Sequence, residues 1–308
     1  MSWRINFLIL VVLSWACQKE KQVVIPNHNE GNLIEAAELK AIINQPNIKL
    51  LDFRKKDEYD KGHITKALNI WRTDIEDSSY PYRGMMASKS QIQAVFGQLG
   101  INSNDTIIVY DDNGMCEAAR LWWVLQNYDF KNVRILNGGI SAWALNNGSL
   151  TTQKVKFKPS TFELSDNASM VYHISKAELE QALKSDVTVI DTRTLDEYTG
   201  KTHKNGATKS GRIPESLHID WAESINYDGD QRFKTIEEIK KKYRKLNIKK
   251  TDLIVLYCHT GVRSAHSTFV LTQILGHQNV KNYDGSWVEW SYFNNLPFEN
   301  DQVSLIKK

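Results

Sequence analysis

A sequence that repeats itself folds as two copies of one unit, and that constraint outranks every local propensity. LLDFRKKDEY, from Leu50 to Tyr59, returns as VIDTRTLDEY, from Val189 to Tyr198. GHITKALNI from Gly62 returns as GRIPESLHI from Gly211, and TIIVYDDNGMCEAARLWWVL from Thr106 aligns with DLIVLYCHTGVRSAHSTFVL from Asp252. LNGGISAW, ending at Trp143, matches YDGSWVEW, ending at Trp290. The spacing from Asp111 to Trp143 equals that from Cys258 to Trp290, so the halves keep register through their last third. With 308 residues there is enough chain for two separate cores.

Each copy reads as alternating helix and strand. The amphipathic stretches Glu35 to Ile43 and Lys176 to Lys184 precede the β-branched runs KLLDF and VTVID. Further on, TIIVY and LIVLY each lead into a loop and then a helix, expected from Ala118 and Ala265. Apolar runs without alternation suit strands buried on both faces of a parallel sheet with helices outside. The expected fold is therefore α/β, two tandem domains at 30–148 and 169–302, each a parallel sheet flanked by helices. Residues 149–168, with Pro and Ser and no helical period, are the expected linker.

A formal charge of +3 on a chain of this size gives no field of the kind that nucleic-acid binding needs. Cys17, Cys116 and Cys258 are too few and too scattered for a disulfide framework, and no CxxC or His/Cys cluster offers a metal site. Cys17 follows Arg4, an apolar run from Ile5 to Ala16 and the small residue Ala16 itself. That run is short of the about 20 apolar residues of a membrane-spanning helix. Residues 1–17 resemble a bacterial lipoprotein signal, although Leu13 stands one position further from the cysteine than usual and Trp15 is bulky. The expectation is export to the periplasm or cell envelope with a lipid anchor at Cys17; an ordinary signal peptide is the alternative.

Cys258 directly follows the strand LIVLY, at the edge where open α/β sheets bind ligands. If Cys258 to Arg263 curl with their N–H groups inward, they make an anion-binding nest, and the following helix adds its positive end. Gly261 permits the turn. Such surroundings lower a thiol's pKa.

In this order of segments the chain resembles the rhodanese superfamily, specifically the two-domain sulfurtransferases acting on thiosulfate or 3-mercaptopyruvate. DTRTLDEY, GRIPES, the loop CHTGVR and YDGSWVEW carry the resemblance over almost the whole chain after the signal. It implies a catalytic second domain and a first domain that has lost the nucleophile, and here Asp111 stands in the place of Cys258. The implied reaction passes a sulfane sulfur through a Cys258 persulfide to cyanide or a thiol, with no cofactor and no metal. The loop residues His259, Thr260, Gly261, Val262 and Arg263, with Arg212, are the expected donor-binding set. Thr260 can donate its hydroxyl to the donor's oxyanion, and His259 can add positive charge or be a solvent-facing spacer. Arg263 either binds anion or ties the loop to a carboxylate, the second being the ordinary role. Ser264 is expected to cap the following helix. Asp191 and Arg193 are expected to pair within the scaffold.

CHTGVR matches neither CRKGVT, the loop typical of thiosulfate enzymes, nor CGSGVT, that of mercaptopyruvate enzymes. Glu197 stands where the latter use an arginine, with Arg212 or Lys209 as substitutes. Thiosulfate is the expected donor and 3-mercaptopyruvate the alternative. Cysteine phosphatases and arsenate reductases need five residues between cysteine and arginine, whereas His259 to Val262 provide four. A non-catalytic sulfane-binding module is the remaining alternative. Cys116 reads as inert, and the aromatic pairs Trp122/Trp123 and Trp287/Trp290 as core or interface, with Trp221 beside the pocket. The insertion TGKTHKNGATKS, Thr199 to Ser210, is unique to the second copy and either overhangs the site or is idle. Because the halves can bury their interface within one chain, a monomer is expected.

Overall fold

The computed structural model describes residues 31–302, so the signal-like segment 1–17 lies outside the described residues. The first half runs β1 (Leu33–Ile34), α1 (Ala36–Ile42), β2 (Ile48–Asp52), α2 (Lys56–Lys61), β3 (His63–Ile64), β4 (Leu68–Asn69), α3 (Lys89–Gln98), β5 (Thr106–Tyr110), α4 (Cys116–Asn127), β6 (Val133–Leu136), α5 (Gly139–Leu145) and β7 (Leu150–Thr151). The second runs β8 (His173–Ile174), α6 (Lys176–Ala182), β9 (Thr188–Asp191), α7 (Leu195–Tyr198), β10 (Leu217–His218), α8 (Ile236–Arg244), β11 (Ile254–Tyr257), α9 (Val262–Phe269), β12 (Val280–Tyr283) and α10 (Ser286–Tyr292).

Each half forms a five-stranded parallel sheet, ordered β1-β6-β5-β2-β4 and β8-β12-β11-β9-β10. Strand for strand the two orders are the same, as the sequence repeat demands. The central strands β5 and β11 are buried along almost their whole length, because helices cover both faces.

The inner helices α4 and α9 pack against each other and join the halves. One hydrophobic core runs from the first sheet through both helices to the second, whereas each outer face keeps a core of its own. Every residue of α9, and all of α4 except Gln126, is buried, as expected for helices covered on all sides. Trp122 meets Phe269 edge-on at 4.9 Å across this junction and stacks on Tyr172 at 5.3 Å. The segment between the halves is strapped to the first: Ser160 N donates to Gly97 O at 2.8 Å, and Phe162 packs on Phe96.

After short 3-10 turns at Arg72–Ile75 and Trp221–Ser224, each half sends an arm across the other's loop. Residues 77–86 reach the Cys258 loop, where Gly84 lies against Thr260, and the turn after β12, where Met86 N donates to Asp284 Oδ2 at 2.9 Å. Residues 226–233 reach the Asp111 loop, where Gly114 N donates to Gln231 Oε1 at 3.2 Å. The exchange is reciprocal.

Candidate active site

The first copy shows what the loop after the central strand binds. Asp111 ends that strand, and its Oδ1 accepts from the N–H groups of Asn113 (3.0 Å) and Met115 (2.9 Å), its Oδ2 from those of Glu117 (2.8 Å) and Ala118 (2.9 Å). Four amides converge on one point. Burial nevertheless outweighs them and pushes the carboxyl up to about 6.

At the same point in the second copy stands Cys258, 1 % exposed. Burial opposes its ionisation, but the Arg263 charge, the Ser264 hydroxyl and the N–H groups of Ser264 and Thr260 prevail and hold the thiol below its ordinary value. Ser264 corrects the expectation of a helix cap. The capping position is Gly261, in the left-handed region with no side-chain cap, and the helix starts at Val262, ahead of the expected Ala265. Ser264 therefore lies in the first turn, its Oγ buried with no hydrogen-bond partner of its own, and it counts among the groups that hold the Cys258 thiol down. Gly261 has φ +73°, and a Cβ there would stand 2.7 Å from Asp284 O. Its carbonyl is held by Asn282 Nδ2 at 2.9 Å.

A further serine supports the cysteine from behind. Ser286 opens α10 at φ +51°, a conformation costly for a residue with Cβ, and its Oγ accepts from Cys258 N at 3.2 Å. The first copy has Gly139 at this position.

Arg263 does not face open solvent. Its Nη1 and Nη2 donate to Glu197 Oε2 (2.6 Å) and Oε1 (2.9 Å), a buried bidentate pair. Glu197 is aimed by its place in a capping box with Thr194 at the start of α7. Burial raises the Glu197 carboxyl, yet Arg263, helped by Lys204 and Arg193, brings it down to about 2. The matching positions of the first copy hold Cys116 and Glu58, the latter paired at the surface with Lys61. Cys116 is buried, and its thiol is pushed well above the ordinary range by that burial and by Glu117 and Asp111.

Of the remaining expected residues, Val262 is buried in the first turn of α9, and Thr260 is half-buried with its N–H turned to the sulfur. His259 is half-buried; desolvation brings it down to about 4, so it is neutral at neutral pH and adds no cation. Its Nε2 lies 3.1 Å from Asn205 O, which places the insertion Thr199 to Ser210 beside the loop. Arg212 is committed elsewhere, to Glu299 Oε2 and Asp301 Oδ1, each at 2.9 Å. Asp191 and Arg193 pair within the scaffold, with Arg193 Nε 3.0 Å from both carboxylate oxygens, and the four tryptophans Trp122, Trp123, Trp287 and Trp290 are core. Trp221 packs edge-on against His266 at 5.1 Å.

The first half closes the site over Thr260. A Cβ on Gly84 would stand 2.7 Å from Thr260 Cβ, and Arg120, from α4, donates to Gly84 O (2.7 Å) and Asp284 Oδ1 (2.6 Å). Tyr82 Oη donates to Glu289 Oε1 at 2.7 Å. Ser264 carried the signal of a cap, and neither Ser286 nor this arm carried one of its own in the sequence. The repeat offered one: Ser286 replaces a glycine in the copy that gains the thiol.

The model of the rhodanese-like domain matches the chain twice, over residues 35–146 and 175–292. The sulfur carrier protein TtuD of Thermus thermophilus is 34% identical over 249 residues, 78% of this chain and 86% of that protein. The thiosulfate sulfurtransferase of Corynebacterium glutamicum is 30% identical over 280 residues, 88% of this chain and 91% of that one. Among solved structures, the 3-mercaptopyruvate sulfotransferase SseA from Escherichia coli superposes with a TM-score of 0.73 at 24% identity, covering 83% of this chain and 98% of that one. The anaerobic ergothioneine biosynthesis enzyme of Chlorobium limicola, bound to trimethyl histidine, gives 0.77 at 22% identity, covering 87% and 70%. At these identities the structural matches speak for the fold.

Proposed function

The chain belongs to the rhodanese family, and from that premise we propose that it is a sulfurtransferase that moves the outer sulfur of thiosulfate to cyanide or a thiol through a persulfide on Cys258. One observation carries this reading: the copy that holds a thiol amid the amides of the nest is also the copy that holds the Arg263–Glu197 pair. In the first step the Cys258 thiolate attacks the sulfane sulfur, the donor's S–S bond breaks, and sulfite leaves with the electron pair. In the second, cyanide attacks the outer persulfide sulfur, thiocyanate leaves, and the thiolate returns. Charge balances in both steps without an external oxidant or reductant. The amides of Thr260 and Ser264 and the Ser264 hydroxyl would steady first the thiolate and then the persulfide anion.

Thiosulfate is preferred over 3-mercaptopyruvate in this reading because both cations expected to substitute for the carboxylate-holding arginine are occupied, Arg212 by Glu299 and Asp301 and Lys209 by the carbonyls of Phe293 and Leu296. The commitment of Arg263 to Glu197 argues against a phosphatase, whose arginine must be free to face phosphate. Export with a lipid anchor at Cys17 and a monomeric state complete the proposal; the core shared by the halves supports the latter.

Initial rates with thiosulfate and cyanide test the reading. Thiocyanate should form with the parallel double-reciprocal lines of a ping-pong reaction, and Cys258→Ser should abolish it. An active Cys258→Ser enzyme would remove Cys258 from the role.

A further inference from the structure

The Cys258 loop carries no free cation. Arg263 is spent on Glu197 at 2.6 and 2.9 Å, and His259 is neutral. A dianionic donor approaching a buried thiolate meets repulsion unless a cation stands near, so the attraction has to come from outside the loop.

The insertion unique to the second copy supplies one. It is pinned to α10 and to the loop: Trp287 Nε1 donates to Lys209 O at 3.0 Å, Thr208 N to Ser291 Oγ at 3.1 Å, and Asn205 O lies 3.1 Å from His259 Nε2. Of its three lysines, Lys201 pairs with Asp196 and Lys209 donates to the carbonyls of Phe293 and Leu296. Lys204, next to Asn205, is exposed, and its ammonium makes no hydrogen bond or ion pair among the described residues. Its charge nevertheless acts on both His259, in the loop, and Glu197, the partner of Arg263.

We propose that Lys204 is the donor-recognising cation of this enzyme, an ammonium carried by the insertion beside His259 that binds the sulfonate end of thiosulfate while its sulfane sulfur faces Cys258. The assignment rests on the sulfurtransferase reading and names the donor contact that the loop itself lacks. It also gives the insertion a use, since the first copy has Asp111 in place of the thiol and lacks these residues.

Steady-state kinetics with thiosulfate and cyanide on Lys204→Ala, Lys204→Glu and Lys204→Arg, repeated from low to high ionic strength, test it. Loss of one charge-assisted contact should raise the thiosulfate KM about tenfold in Lys204→Ala, and further in Lys204→Glu, with kcat and the cyanide KM within about twofold of wild type. Lys204→Arg should restore the KM, and the salt dependence of kcat/KM should flatten in Lys204→Ala. A thiosulfate KM in Lys204→Glu within about twofold of wild type would overturn the assignment, as would failure of arginine to rescue. Wild type that forms no persulfide from thiosulfate would instead sink the underlying reading, so the two failures are distinct.

Discussion

Replacing Ser264 by alanine should take one hydroxyl from the thiolate and little else. The Ser264 side chain is fully buried, and its Oγ has no hydrogen-bond partner, so no bond elsewhere in the fold is broken by its removal. What it acts on is the Cys258 thiol, which it holds down together with Arg263 and the amides of Ser264 and Thr260 against the cost of burial. A hydrogen bond to a charged group is worth about 1.5–3 kcal/mol. Taking the lower end for a soft sulfur acceptor, about 1.5 kcal/mol, the thiolate population at neutral pH drops about tenfold. The assay is alkylation of Cys258 by iodoacetamide at pH 7, followed by peptide mass so that it is counted apart from Cys116. Cys116, buried with its thiol pushed up, should remain unmodified in both proteins. Thermal stability should stay close to wild type, because the hydroxyl bonds no other group of the fold. Alkylation of Ser264→Ala within about twofold of wild type, in a folded protein, would refute the role assigned to this hydroxyl.

Glu197→Gln should cost about 3 kcal/mol in chemical denaturation at pH 7, the loss of one partner of a buried pair. The Glu197 carboxyl is held down to about 2 from its ordinary 4.5, so its stabilisation is full above 4.5 and fades as pH falls towards 2. The gap between variant and wild type should therefore narrow on acidification from pH 5 to pH 3, and a constant gap would contradict the pairing. Gly261→Ala should lose most sulfur transfer and about 1–2 kcal/mol or more of stability, because the left-handed turn is strained by any Cβ and this one meets Asp284 O; a fully active variant would contradict the loop geometry. Arg120→Met leaves Asp284 buried without its cation and should lower the melting temperature while leaving Asp284→Asn no worse in combination, a coupling read from a double-mutant cycle.

Much of this was legible from the chain because the repeat and the strands are written in apolar runs and glycines, which respond to local geometry. The nucleophile was legible through its absence: Asp111 occupies the same nest, so the scaffold does not need the thiol. Ser264 was misread because a serine near a helix start resembles a cap, and only the left-handed Gly261 moves the start forward. The two roles weighed for Arg263 could not be separated, since its partner Glu197 lies 66 residues away and is aimed by a capping box on another strand's loop. The exchanged arms were invisible for a similar reason. Their contacts, such as Tyr82 with Glu289, join the two halves across 207 residues and have no local pattern.

Intact mass of the purified protein after brief exposure to thiosulfate bears most directly on Cys258. Persulfide chemistry there predicts that wild type gains the mass of one sulfur atom, mapped to the Cys258 peptide and discharged by cyanide, while Cys258→Ser gains none. Wild type that takes up no sulfur, or sulfur that maps to Cys116, would contradict it.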